Sequence, residues 1–419
     1  MKYLASFISV AVLAPLFSTS AFAATGYFMH AYSVNSQGNA GTAIANFQDS
    51  LTIASNPAGL SWLGQRLDTG LTIFAPERES EISGNLAGAN GHYDANSRKY
   101  FVIPEFGYAH PINSQFTAGI AVYGNGGMNT HYKNNPYAVF NNSGSAGISL
   151  TQAFISPALA WKYTDHQSIA LAANILYQRF SAQGFNGDVF GGVSENANAI
   201  SNRGNDESYG VGARIGWSIK PNEDLTIGAS YSSKIDASRF KKYAGLFAEQ
   251  GDFDVPESYG IGLNYQLTPA LSLATDYLRI NYSDVDSVGN GLEPLFAGNR
   301  FGTDQGPGFG WHDINVYKIS TTYQATDKLT LRAGYSYNDQ PVANDQTFLN
   351  ILAPGVVQQH VSLGATWKID QQQKISLAYT HALEESVKGQ GSIPVNFGGG
   401  EADLSMSQNI FGIAYGLEF

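Results

Sequence analysis

From Arg66 onward the chain keeps a period of two, and few folds accept that pattern over some 350 residues. Tyr259, Ile261, Leu263, Tyr265 and Leu267 share one parity, while Ser258, Gly260, Gly262, Asn264 and Gln266 fill the other. Tyr209, Val211, Ala213, Ile215, Trp217 and Ile219 alternate in the same way with Gly210, Gly212, Arg214, Gly216 and Ser218. Val361, Leu363, Ala365, Trp367 and Ile369 do so against Ser362, Gly364, Thr366 and Lys368. Successive strand side chains point to opposite faces, so each segment has one apolar face and one small or polar face. The apolar faces end in tyrosine, tryptophan or phenylalanine, which suits a wall with lipid outside, aromatic girdles at both interfaces and a polar lumen. Only 14% of residues are charged, against roughly 25% in ordinary soluble domains. No run after the N-terminus approaches the ~20 apolar residues of a spanning helix.

Fourteen such segments are expected near 66–76, 100–109, 116–123, 149–164, 168–180, 208–219, 225–233, 257–266, 271–282, 312–324, 329–337, 358–369, 374–381 and 407–419. An even number suits a bacterial barrel, and about 9–11 residues suffice for a tilted strand to cross. Six connections are short and turn-like, among them His110-Pro111-Ile112-Asn113 and Pro221-Asn222-Glu223-Asp224. The other seven are long and rich in Gly, Asn, Asp and Ser. Seven outer loops and six inner turns are what fourteen strands with both ends in the periplasm require. The last strand, Phe411 to the terminal Phe419, ends in the phenylalanine that outer-membrane assembly reads. The fold class is therefore all-β: a transmembrane antiparallel β-barrel of 14 strands.

The N-terminus gives the compartment. Lys2, the apolar stretch from Leu4 to Phe17 and the small-residue run ending Ala21-Phe22-Ala23 form a signal peptide over 1–23, cleaved before Ala24. Residues 24–65 show no alternation but are dense in small residues and carry Ile44, Phe47, Leu51, Ile53, Leu60 and Trp62. A barrel of this strand number leaves a lumen unless something fills it, so 24–65 is expected to be a hatch plugging the barrel of 66–419.

At this point the chain resembles a family, the FadL and TodX-type outer-membrane transporters of long-chain fatty acids and hydrocarbons, over its whole mature length. The resemblance rests on Asn56-Pro57-Ala58 after a Gly/Ala-rich stretch. It also rests on Trp311-His312-Asp313, Thr321-Thr322-Tyr323, Leu331-Arg332-Ala333-Gly334-Tyr335, Asp339-Gln340-Pro341-Val342, Ala353-Pro354 and Tyr379-Thr380-His381. It implies passive uptake of hydrophobic small molecules, foremost long-chain fatty acids. The ligand would bind between outer loops, move to a pocket near the mature N-terminus, and leave sideways through a gap at a kinked third strand. Gly124, Gly126 and Gly127 match the kink, and glycines within a strand mark bulges in their own right.

Candidate ligand contacts follow. Phe240, Tyr243, Leu246 and Phe247, with Phe253, Phe185, Val189 and Phe190, are apolar residues of long loops; such clusters bind ligands or pack on one another. Tyr27 and Phe28 would line the deep pocket. Arg214 and Arg332 face inward by parity and would either meet a carboxylate or pair with hatch acids such as Asp49. Arg179 and Arg279 face lipid.

Other classes fare worse. Zero cysteines exclude a disulfide scaffold and thiolate chemistry, and a net charge of −11 without a basic cluster excludes nucleic acid as partner. There is no H-E-x-x-H motif and no G-x-S-x-G after a strand, so no enzyme, cofactor or metal is expected. Glu77, Glu79 and Glu81 read as a solvated face. A hydrocarbon channel of the same family is the nearest alternative, and a general porin the more distant one. The partners expected are the ligand and the surrounding outer-membrane lipid and lipopolysaccharide, with the chain a monomer.

Overall fold

The computed structural model describes residues 25–419; the expected signal peptide and Ala24 lie outside them. The strands are β1 (Arg66–Ser83), β2 (Gly91–Asp94), β3 (Phe101–Pro111), β4 (Phe116–Asn129), β5 (Gly147–Thr164), β6 (Gln167–Gln183), β7 (Asp206–Ile219) and β8 (Leu225–Ser232). They continue as β9 (Ser258–Thr268), β10 (Leu271–Ile280), β11 (Ile314–Gln324), β12 (Leu329–Asn338), β13 (Gln359–Lys368), β14 (Gln373–Val387) and β15 (Glu401–Glu418). Wall strands pair with their sequence neighbours, and β15 closes on β1 from Arg66↔Glu418 to Ser83↔Glu401. The short β2 pairs only with β1, so the wall has fourteen strands, all antiparallel.

The parity of the sequence is the parity of the wall. Tyr209, Val211, Ile215, Ile261, Leu363, Trp367 and Ile413 are exposed to the lipid side, while Ser208, Ser218, Ser258, Ser362 and Thr366 are buried on the lumen side. Wall hydroxyls pair across strands, as Ser362 with Thr380 and Thr366 with Ser376, each at 2.7 Å. Among the described residues no helix is long and apolar enough to cross a membrane; strands do the crossing.

Beside β4, which runs to Asn129 instead of ending near 123, three more strands reach well beyond their expected outer ends. β1 continues to Ser83, β14 to Val387, and β15 starts at Glu401. Above the bilayer neither face needs to be greasy, so alternation continues there as charge against burial. Glu77, Glu79 and Glu81 are exposed, and Arg78, Ser80 and Ile82 are buried.

Residues 25–65 pack against the lumen face of the wall. Ser33 caps a short helix, Val34–Gly38, and Asp49 and Asn56 cap two 3₁₀ turns, Ser50–Ala54 and Pro57–Trp62. Each cap accepts a backbone N–H that the turn itself cannot satisfy. Ile44, Leu51, Ile53 and Leu60 are buried against the wall.

Candidate functional site

The wall grips this inner segment through its backbone. Carboxylates of the wall accept its N–H groups: Glu105 from Val34 at 3.0 Å, Asp68 from Ser50 at 2.9 Å, and Asp276 from Ala43 and Ile44 at 2.7 and 3.0 Å. Lys318 donates to the carbonyls of His30 and Gly41 at 2.8 and 3.2 Å. The Asn56 amide donates to Ile44 O and to Trp217 O on β7, while its oxygen accepts from Ala58 N. A Cβ on Gly216 would stand 2.1 Å from that oxygen, so the wall must be bare where Asn56 docks. Asn56-Pro57-Ala58 is thus an anchoring turn: the proline sits at the start of the 3₁₀ turn, where no N–H is needed.

β4 is where the wall departs from regularity. It pairs with β3 only from Thr117↔Pro111 to Val122↔Phe106, although it stays with β5 as far as Asn129. The register to β5 shifts between Gly124 and Gly126, leaving Asn125 as the extra residue. Beyond that point the strand turns to the inner segment: Met29 N donates to Asn125 O and Gly127 N to Tyr27 O, both at 2.9 Å. A Cβ on Gly126 would lie 2.1 Å from Tyr27 O, so the close approach falls at Gly126. Phe101 to Glu105 of β3 therefore pair with β1 and have no β4 partner in the ladder. Arg78 of β1, buried against the Phe101 ring, donates to the Asn129 carbonyl and, at 2.6 Å, to Arg98 O.

Between the inner segment and strands β7 to β11 lies a cavity of about 30 Å³ lined by Phe28, Met29, Tyr32, Leu278, Arg214 and Lys318, among others. Such a space holds about one water, so an occupant must displace side chains. Of the two arginines expected inside, only Arg214 reaches it; both do face inward. Arg214 is 6% exposed, donates a long bond to Ser55 O at 3.4 Å, interacts with the Tyr123 and Tyr32 hydroxyls, and leaves its Nε without a partner. Arg332 is spent elsewhere, donating to Gln48 Oε1 and Thr366 Oγ1, both at 2.6 Å. Neither pairs with Asp49, contrary to the structural alternative, because Ser33 and Asn35 already hold that carboxylate at 2.8 and 2.9 Å. Arg279 faces outward as expected and pairs with Asp313 at 2.8 Å.

Phe28 lines this cavity as expected, whereas Tyr27 does not and is packed among other rings. The Tyr27 ring lies 5.2 Å from Phe28, 5.2 Å from Tyr282, 5.9 Å from Trp311 and 5.8 Å from Phe253. From Phe253 the contacts continue to Phe247 at 5.0 Å, to Phe180 at 4.7 Å, and on to Tyr243 and Phe240. The loop aromatics do not form an open groove: Phe240, Tyr243, Phe247 and Phe253 are buried on one another, with Leu246 partly buried against them. Phe185 and Phe190 join a separate group with Tyr137 and Phe397.

Sequence reading missed Lys318, which shares the inward parity of Val316 and Ser320 and was legible on that ground. It also missed the stack of His30 on His360, rings 5.1 Å apart and nearly parallel. Burial first, then His360 and Lys318, hold the His30 imidazole well below its ordinary range. Nothing local in the sequence marks that contact, which joins residues 330 apart.

A closed fourteen-stranded barrel with inner residues packed on its lumen face and one interrupted seam defines a class, the outer-membrane transport channels. The family model for outer membrane protein transport proteins (OMPP1/FadL/TodX) matches residues 15–419, and the chain belongs to that family. The long-chain fatty acid transport protein of Escherichia coli K12 is 22% identical over 91% of this chain and 92% of its own. The Pseudomonas putida toluene transporter TodX superposes with a TM-score of 0.68 at 18% identity, over 93% of this chain and 99% of its own. A Pseudomonas aeruginosa FadL homologue does so with a TM-score of 0.72 at 15% identity, over 94% and 100%. The protein is an outer-membrane transporter of the FadL/TodX type and not an enzyme.

Proposed function

We propose that this chain carries long-chain fatty acids passively across the outer membrane. In this reading the loop aromatics, Phe240, Tyr243, Leu246 and Phe247, take the acyl chain first. The cavity by Tyr27 and Phe28 takes it next, and the seam between β3 and β4 at Gly124, Gly126 and Gly127 releases it into the bilayer. The chain works as a monomer among lipid and lipopolysaccharide, with residues 24–65 as its hatch. An alkyl chain in a watery pore would forgo about 0.8 kcal/mol per CH₂, so an apolar route with a sideways exit removes the barrier without an energy source.

The observation that carries a carboxylate ligand is Arg214. A buried guanidinium with no ion pair among the described residues and an unpartnered Nε faces a cavity that also holds Phe28 and Leu278. Uptake of labelled oleate and of toluene by cells lacking their own transporter, at matched levels of inserted barrel, tests the reading. Oleate uptake is expected, and Arg214→Gln should lower oleate affinity about tenfold or more, the worth of a charged hydrogen bond, while sparing toluene. Toluene uptake alone would instead assign the chain to aromatic hydrocarbons, for which the ring-lined path from Phe240 to Phe28 is also suited.

A further inference from the structure

A file of side-chain amides crosses the wall from the outer-loop aromatics to the β4 kink. The Gln178 amide of β6 donates to the backbone carbonyl of Phe253 at 2.8 Å. Gln152 of β5 donates to Gln178 Oε1 at 2.7 Å, and Asn125 donates to Gln152 Oε1 at 3.1 Å. Tyr32 of the hatch donates its hydroxyl to Asn125 Oδ1 at 3.3 Å. All four bonds point the same way, so each polarises the next. Asn125, Gln152 and Gln178 are each at most 1% exposed, and water is therefore no substitute for a lost partner.

The two ends of this file are the two places a ligand must disturb. Phe253 bridges the loop aromatics to Tyr27, so its segment has to shift for anything to pass inward. Asn125 is the bulge residue, and its carbonyl receives Met29 N, which ties the hatch to the kinked strand. We propose that Gln152 and Gln178 are positioning residues that couple the Phe253 segment to the kink. When an occupant displaces Phe253, Gln178 loses its acceptor, the file relaxes, and the hatch-to-kink pairing at Met29 and Gly127 loosens. The role of the kink as an exit rests on the transport reading above; the coupling itself does not.

The test reads amide hydrogen exchange at Met29 and Gly127 in the full-length barrel in bilayers. Gln178→Met keeps the side-chain volume and removes the bonds to Phe253 and Gln152, together with a long one to Ser208 at 3.5 Å. It should speed exchange at those two amides about tenfold without ligand, while amides of β9 to β13 are unchanged. Gln152→Met should do the same, and the double variant no more than either, because the file acts as a unit. Ser156→Ala, which removes an equally buried hydroxyl of β5 from its bonds to Asn174 and to Tyr123 of β4, both outside the file, should leave both amides as they were. Unchanged exchange in folded Gln178→Met, or the same acceleration in Ser156→Ala, overturns the coupling. Oleate should loosen the same amides in the parent and not in Gln178→Met. If the glutamine variants accelerate exchange but oleate has no effect on the parent, the coupling stands and the fatty-acid reading fails.

Discussion

Single side chains do different work in the lumen and in the loops. Inside, most charges are spent on backbone: Glu105, Asp68 and Asp276 satisfy hatch N–H groups, and Lys318 satisfies hatch carbonyls. Arg214 stands apart because it has no carboxylate partner among the described residues and its Nε is unpartnered. In the loop between β8 and β9, Asp252 is pushed up to about 7, by burial first and then by Asp254 and Glu249, with Lys234 opposing. Asp254 itself is tied to Lys234 at 3.0 Å and accepts from Ala237 N at 2.7 Å. An acid with a raised pKa in the folded state stabilises that state at low pH. Its contribution is full below the ordinary carboxylate range and is lost as pH rises through about 7. Limited proteolysis around residues 249–255 should therefore quicken between pH 5.5 and roughly 8, and Asp252→Asn should flatten that dependence. A pH-independent cleavage rate in the parent would contradict it.

Among the elements, β4 is the irregular one. Its first eight residues obey the alternation, and its continuation to Asn129 runs along β5 while abandoning β3. Gly126→Val places a side chain where Tyr27 O stands 2.1 Å from the Cβ position. It should cut uptake severalfold while the barrel still inserts, judged by heat-modifiable migration on gels; undiminished uptake would mean that the hatch pairing at Gly126 is dispensable. The wall strands were legible because lipid demands apolar side chains at every second position. The outward ends of β1, β14 and β15 were not, since Glu77-Arg78-Glu79 alternates in charge and burial without any greasy residue. The amides of Asn125, Gln152 and Gln178 were illegible for another reason. Each is an unremarkable polar residue on an inward parity, and only the register of β4 on β5 and β5 on β6 brings them nose to tail. Arg214 was legible by parity alone; that Arg332 would be used up by Gln48 was not.

At the scale of the molecule, the hatch touches the wall on many sides, from β3 through β7 and β10 to β13 and β15. It leaves a cavity of about 30 Å³ beside Phe28. Planar bilayers holding the intact protein should show little steady ion current, and a variant lacking residues 25–65 should conduct like a porin. Equal conductance of the two would mean that the segment does not seal the lumen. The closure of β15 on β1 carries a further consequence, for biogenesis. Gln37 donates to Ile410 O on β15 and Val34 to Glu105 on β3, so the hatch reaches both flanks of β1. The eighteen positions from Arg66 to Ser83 that zip against Glu401 to Glu418 belong to the very strand from which the inner segment hangs, so closing the seam also fixes that segment's point of attachment.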